Sequence, residues 1–179
     1  MKRSIILSLL VAAALPALAQ SSATAAGNAV AARILCKIQI ANTLGLGFGT
    51  IVADAAQTVT VDASANTRTT TGAAGNLLTG GDSIEAGPFQ RASFTITGCG
   101  GKDYSVTLPA ASSVTLSDGG VNTMTVLSFN SDKTGVRSLG SAPFTSGTDT
   151  LRVGGALSVG ANQAAGNYTG TFDVTVQYL

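Results

Sequence analysis

The chain has 179 residues with 10 basic and 9 acidic side chains, a balance that gives it no electrostatic reason to bind nucleic acid or an anionic membrane surface. It contains no histidine, so the commonest general base and the commonest transition-metal ligand are both missing. We therefore predict that the chain is not an enzyme and that it holds no metal or cofactor.

The first twenty residues, MKRSIILSLLVAAALPALAQ, have the pattern of a secretory signal peptide. Lys2 and Arg3 precede an apolar stretch that is too short for a membrane-spanning helix, and Ala17-Leu18-Ala19 is a small-x-small cleavage motif. We predict that residues 1–19 are removed and that the mature chain of 160 residues is exported without stable membrane insertion.

Residues 30–40 alternate in polarity, which predicts a strand at the start of the mature fold. The apolar positions are all even: Val30, Ala32, Ile34, Cys36, Ile38 and Ile40. The segment LGLGFGTIV (44–52) is predicted as a second strand that its glycines loosen. GLGFG within it resembles a phosphate-binding loop only superficially, because no helix pattern follows.

Cys36 and Cys99 are the two cysteines of the chain. In an oxidising compartment a single disulfide between them is the default expectation, and a pair of free thiols is the alternative. The bridge would close a loop of 63 positions, which the loop-entropy model values at roughly 4 kcal/mol as an upper figure.

The middle of the chain continues with short segments of period two, separated by Gly, Asn, Asp and Pro. Residues 64–81 are polar and rich in Gly and Thr, which indicates a hairpin or loop. Eight or more short strands without an intervening helix predict an all-β, antiparallel sandwich. The remaining strand segments are TVTVDA, FQRASFTITGC, YSVTLP, MTVLSF, TLRVGG and ALSVGA.

Residues 168–178, near the end of the chain, alternate most clearly, as a half-buried strand does. One face carries Tyr168, Phe172, Val174, Val176 and Tyr178, and the other carries Thr169, Thr171, Asp173, Thr175 and Gln177.

This ending carries a resemblance to a known class of proteins. Tyr178 is the penultimate residue and Gly166 is fourteenth from the end, a pattern similar to that of chaperone–usher fimbrial (pilin) subunits. The cysteine after FTITG, paired with one near the mature N-terminus, is also similar to those pilins. More widely, the segments from LGFGTIVAD to YTGTFDVTVQY resemble a broad family of bacterial exported, pilin-like domains of unassigned function.

The resemblance implies an immunoglobulin-like sandwich that lacks its last strand. A periplasmic chaperone would lend a strand beside the subunit's own final strand, and an outer-membrane usher would exchange it for the N-terminal extension of a neighbouring copy or related subunit. The chain would then be a structural subunit of a surface fimbria with a role in adhesion or biofilm. The residues implied for the pairing strand are Gly166, Tyr168, Phe172, Val174, Val176 and Tyr178.

The donor segment would lie in residues 20–34, before a pilin-like domain at 35–179. By parity, Val30, Ala32 and Ile34 are the candidate donor residues, although they could equally begin the protein's own first strand. The alternative is therefore a self-contained secreted or surface sandwich with a binding or unknown role.

Overall fold

The structure is a computed structural model that describes residues 27, 29–72, 88–140, 142–143 and 145–179. All regular structure in these ranges is β-strand, and no helix among them is long and apolar enough to cross a membrane. The strands are β1 (Gln39–Leu44), β2 (Gln57–Val61), β3 (Arg68–Gly72), β4 (Ala92–Cys99), β5 (Asp103–Thr107), β6 (Val114–Ser117), β7 (Thr123–Ser131), β8 (Arg137–Ser138), β9 (Ser146–Val159) and β10 (Thr175–Tyr178).

The chain divides into two units, Met1–Arg33 and Ile34–Leu179. The described residues of the first unit, 27 and 29–33, are in no strand. All ten strands belong to the second unit.

The larger sheet has seven strands and is organised around the long strand β9. The first half of β9 pairs with β4, and its second half lies between β2 and β7, so that Leu157 is opposite Val59 on one side and Val126 on the other. Strand β1 extends the sheet beyond β4, β3 extends it beyond β2, and β6 extends it beyond β7.

The smaller sheet has three strands in the order β10-β5-β8. Strand β10 pairs antiparallel with β5, with Thr175 opposite Thr107 and Tyr178 opposite Tyr104. On its other side β5 pairs with β8.

Two apolar clusters form the core of the second unit. The first lies on the β2, β6, β7 and C-terminal β9 part of the larger sheet, and the second lies where β4 and the N-terminal half of β9 meet the smaller sheet. Strict alternation makes this packing possible, because Ala92, Phe94 and Ile96 of β4 all point inward and are buried. The prediction of an all-β, antiparallel, sandwich-like fold is confirmed.

Several predicted strands have different limits in the structure. Residues 29–38 are in no strand, and β1 begins only at Gln39. Leu44 is the last residue of β1, and residues 45–52 form isolated bridges instead of a regular strand. TLRVGG and ALSVGA, predicted as two strands, are parts of the single 14-residue strand β9. The segment predicted as a hairpin or loop at 64–81 contains β3, which forms a hairpin with β2, and residues 73–81 lie outside the described ranges.

The break predicted between TLRVGG and ALSVGA was wrong because its two glycines serve close packing. A Cβ on Gly154 would overlap the carbonyl oxygen of Val61, and one on Gly155 would meet Leu46 at 3.3 Å. Glycine in a strand can mark close approach of another backbone as well as a turn.

Candidate functional site

The C-terminal segment keeps the side-chain alternation that the sequence predicted. Phe172, Val174, Val176 and Tyr178 are half-buried and pack against the second core cluster, while the intervening side chains are exposed. Hydrogen-bonded pairing is shorter than predicted, because only Thr175–Tyr178 form a strand.

Strand β10 has one paired edge and one free edge. The Leu179 N–H donates to the Asp103 carbonyl at 3.1 Å, so the odd-numbered residues of this strand direct their main-chain groups towards β5. The main-chain groups of Val176 and Tyr178 consequently point to the opposite edge. Within the described part of the chain, no strand pairs with that edge.

The stretch just before β10 is also unpaired. Thr169 exchanges two main-chain hydrogen bonds with Ser117 of β6, at 2.8 and 2.9 Å. Between that bridge and Thr175, residues 170–174 pair with no strand of the described ranges. The free edge therefore continues from β10 into an irregular segment.

Facing this region is the irregular segment 45–53, which two side chains of β2 and β3 hold in place. Arg68 donates from Nη1 to the carbonyl oxygens of Phe48 and Thr50, at 2.9 and 3.1 Å. Gln57 donates from Nε2 to the Val52 carbonyl at 2.7 Å. Burial lowers the pKa of Arg68 from its ordinary value. The ordinary pKa of arginine is so high that the side chain keeps its positive charge.

An apolar groove of about 870 Å³ is lined by residues 45–53 on one wall and by residues 163–172 on the other. Its floor is the first core cluster, the part of the larger sheet that the smaller sheet does not cover. Half-buried Leu116 and Met124 also line it. The floor side chains are Val114, Val126, Leu157 and Val159.

The two walls meet at one end of the groove. The Asn162 N–H donates to the Ala53 carbonyl at 2.7 Å. This bond joins the residue just before the 163–172 wall to the last residue of the 45–53 wall. Farther along, Phe172 packs with its ring centroid 4.9 Å from that of Phe129 and 6.1 Å from that of Phe94. These rings mark the boundary between the open groove and the closed second cluster.

The predicted residues Gly166 and Tyr168 lie in the 163–172 wall. Tyr168 is half-buried, donates its hydroxyl to the Ala164 carbonyl at 2.8 Å and accepts from Gln163 Nε2 at 2.9 Å. Gly166 is exposed, and a Cβ there would meet only ordinary contacts. Both residues therefore shape the wall of the groove and are not part of β10.

Cys36 and Cys99 are joined by a disulfide with a Cα–Cα distance of 5.1 Å. The Tyr178 hydroxyl lies beside this bridge. It accepts a hydrogen bond from the Cys99 N–H at 2.6 Å and donates one to the Cys36 carbonyl at 3.1 Å. The end of the last strand is thus fixed to both halves of the disulfide.

The candidate donor residues lie in no strand of the structure. Val30 and Ile34 are 96% and 90% exposed, and Ala32 is also exposed. Their assignment to a donor strand remains a prediction.

A partly buried ionic cluster at the smaller sheet was missed by the sequence analysis. Asp149 accepts hydrogen bonds from Tyr104 at 2.8 Å, Arg137 at 2.7 Å and Lys133 at 3.0 Å. Burial of the Asp149 carboxyl raises its pKa, but the three donors outweigh burial and bring the pKa to about 2. Burial and the bond to Asp149 raise the pKa of Tyr104 above its ordinary value.

The ionic cluster connects three strands, β5, β8 and β9, and its Arg137 side chain is almost completely buried. In the described ranges, no group of three or more Cys, Asp or Glu side chains has a geometry that could hold a metal ion. No signal in the sequence linked these residues, because their proximity depends on the topology.

The chain belongs to a family described only as a domain of unknown function (DUF4402), whose model matches residues 38–178. The match includes both core clusters, both walls of the groove and β10, and it begins after Cys36 and the candidate donor residues. Comparisons with curated proteins and with solved structures found no match.

Proposed function

We propose that this chain is a structural subunit of a cell-surface fimbria, which passes through the periplasm and polymerises by donor-strand exchange. One observation carries the proposal: residues 163–172 form a wall of an apolar groove over the first core cluster, and the chain that continues from this wall, residues 170–174 and the second edge of β10, pairs with no described strand. The resemblance of the C-terminal pattern and of the cysteine placement to pilin subunits supports the same function.

The groove exposes apolar side chains, and the edge has main-chain groups that no described strand pairs. An added strand would cover the first and pair with the second. Apolar surface is unfavourable when it is exposed to water, and main-chain groups are unfavourable when they are left unpaired away from water, so an edge beside an apolar face favours pairing with another chain. A strand inserted along residues 170–174 would place alternate side chains on the floor of the groove, and its continuation would hydrogen-bond to Val176 and Tyr178.

The partners follow from this chemistry. A periplasmic chaperone would provide the first strand, and at an outer-membrane usher a neighbouring copy or related subunit would replace it. Val30, Ala32 and Ile34 form the candidate donor segment, because their side chains share one face of an extended chain and are exposed. Three inward-facing aliphatic or small side chains suit an apolar floor.

Binding of a synthetic peptide tests the proposal directly. The peptide has the sequence of residues 27–35, and its matched control carries Val30→Ala and Ala31→Val, which keeps the composition but places the valine and Ile34 on opposite faces. We expect the first peptide to bind in fluorescence anisotropy and to raise the melting temperature, since a ligand of the folded state stabilises it.

A groove variant supplies the second control. Met124→Glu places a charge on the groove wall at a half-buried position and should abolish peptide binding without unfolding the chain. Equal binding of both peptides, or binding that Met124→Glu leaves unchanged, would contradict strand donation to this groove. A stable monomer that binds neither peptide nor periplasmic chaperone would favour the self-contained sandwich.

A further inference from the structure

The disulfide and the last strand meet at a single side chain. The Tyr178 hydroxyl uses both of its hydrogen-bonding capacities on the two cysteines, accepting from the Cys99 N–H at 2.6 Å and donating to the Cys36 carbonyl at 3.1 Å. The packing around it is tight, because a Cβ on Gly98 would overlap the hydroxyl.

Strand β10 has few other interactions to hold it. It has four residues, and among the described strands it pairs only with β5. Its apolar side chains are half-buried rather than buried. A short strand with one partner is marginally stable by itself, so the two hydrogen bonds of Tyr178 are a substantial part of what positions it.

The two cysteines are held very differently by the rest of the fold. Cys99 is buried at the end of β4, whereas Cys36 is exposed and precedes β1 outside any strand. The bridge is therefore what keeps the Cys36 carbonyl next to Tyr178. When the bridge opens, Tyr178 loses a fixed acceptor while the Cys99 N–H stays in place.

From this geometry we propose that the Cys36–Cys99 disulfide controls the strand-accepting edge through the Tyr178 hydroxyl. In the oxidised chain the hydroxyl bridges the two cysteine backbones and fixes β10, and with it the free edge of Val176 and Tyr178. In the reduced chain β10 detaches from β5 more often, and its free edge is then not held in position to pair with another strand. The part that concerns capture of a partner strand rests on the proposed function, whereas the coupling of the disulfide to β10 does not.

The redox step is an ordinary thiol–disulfide exchange. The bridge forms when the Cys36 and Cys99 thiols lose two protons and two electrons to the disulfide of an oxidant, which becomes a dithiol. In the reverse direction dithiothreitol supplies two electrons, is oxidised to its cyclic disulfide, and leaves Cys36 and Cys99 as thiols.

Hydrogen exchange on Tyr178→Phe tests the coupling. In the oxidised chain, the variant should lose about fivefold to tenfold of the amide protection of Thr175 and Gln177, which face β5. Protection of Leu157 in β9 should stay the same. Tyr168→Phe removes a hydroxyl from the groove wall, away from the disulfide, and should leave the β10 amides unchanged.

A background without cysteines decides whether the hydroxyl acts through the bridge. With Cys36→Ser and Cys99→Ser in place, Tyr178→Phe should lower the β10 protection by only about twofold to threefold, because the bond from the N–H of residue 99 is then the one left to lose. The full effect in that background, or no effect in the oxidised chain, would overturn the proposal.

A second measurement needs no cysteine substitution. Because coupling is reciprocal, Tyr178→Phe should shift the equilibrium with dithiothreitol towards the reduced chain by about the ratio of its protection losses in the oxidised and the cysteine-free chains. Equal equilibrium constants for the two proteins would also overturn the proposal.

Peptide capture separates this proposal from the proposed function. If the oxidised chain binds the residue 27–35 peptide and neither reduction nor Tyr178→Phe weakens binding, redox control is wrong and strand donation stands. If no variant binds the peptide but the exchange and equilibrium results hold, strand donation is wrong and the coupling of the disulfide to β10 stands.

Discussion

Phe172 packs against Phe129 with ring centroids 4.9 Å apart and ring planes inclined by 32°. This contact joins the irregular segment before β10 to the inner face of the larger sheet, at the point where the two core clusters meet. The contact therefore connects the wall of the groove to the closed part of the core.

We expect Phe172→Ala to lower the free energy of unfolding by about 2–3 kcal/mol, below the range for a fully buried phenylalanine because this ring is half-buried. Urea denaturation measures the change. Asp173→Ala, one residue away and exposed, is the control and should stay within about 0.5 kcal/mol of the original chain. Equal effects of the two substitutions would show that the aromatic contact does not stabilise the fold.

Asp149 makes stability depend on pH. Its pKa in the folded chain is about 2, below the ordinary value of 3.8, so its contribution is complete above about pH 4 and is lost as the pH falls towards 2. We expect at most about 2 kcal/mol of the free energy of unfolding to be lost over this window. Urea titrations at several pH values measure the loss.

Asp149→Asn is the control for the acid effect. It should be less stable at pH 7, because buried Arg137 loses the nearer of its two carboxylate partners, and its stability should vary less between pH 4 and 2. An unchanged acid dependence in this variant would assign the effect to other carboxylates.

The disulfide should contribute strongly to stability. Its loop of 63 residues predicts a loss of up to about 4 kcal/mol when Cys36→Ser and Cys99→Ser are combined. Non-reducing mass spectrometry should recover the two cysteine peptides joined, and two alkylatable thiols in the purified chain would refute the bridge. Equal urea midpoints for the oxidised and double-serine chains would refute its role in stability.

The proposed pairing edge predicts a difference between neighbouring residues of β10. Val176→Asp places a carboxylate on the half-buried face and should abolish chaperone capture and surface fibres, while export continues. Gln177→Asp introduces the same charge on the exposed face and should leave both intact. Electron microscopy and co-purification with the chaperone measure the outcome, and fibres in the Val176 variant would count against this edge as the pairing site. Tyr178→Ala should also abolish capture.

Residues with a strict local pattern were predicted well from the sequence. The inward face of β4 and the exposed and half-buried faces of the C-terminal segment follow from period two alone, because neighbouring side chains of an extended chain point to opposite sides. The same rule did not locate the ends of strands. Val30, Ala32 and Ile34 alternate like β1 but are in no strand, since alternation does not indicate whether an edge is available for pairing.

The groove could be predicted only in outline. The resemblance to pilins implied an open trough, but its walls depend on contacts between residues far apart in the chain, such as Arg68 with Phe48 and Asn162 with Ala53. The hydrogen bond from the Cys99 N–H to the Tyr178 hydroxyl spans 79 positions and has no local signal. The topology of the fold creates these contacts, and no repeat or motif in the sequence predicts them.

The unbroken length of β9 has a mechanical consequence. A single backbone runs under both the closed half and the open half of the molecule, with antiparallel neighbours along both sides of its C-terminal part. Tension applied along this direction loads many interstrand bonds at once, in shear, instead of opening them one after another from an end. The protein should therefore resist stretching along β9 far better than peeling at β10.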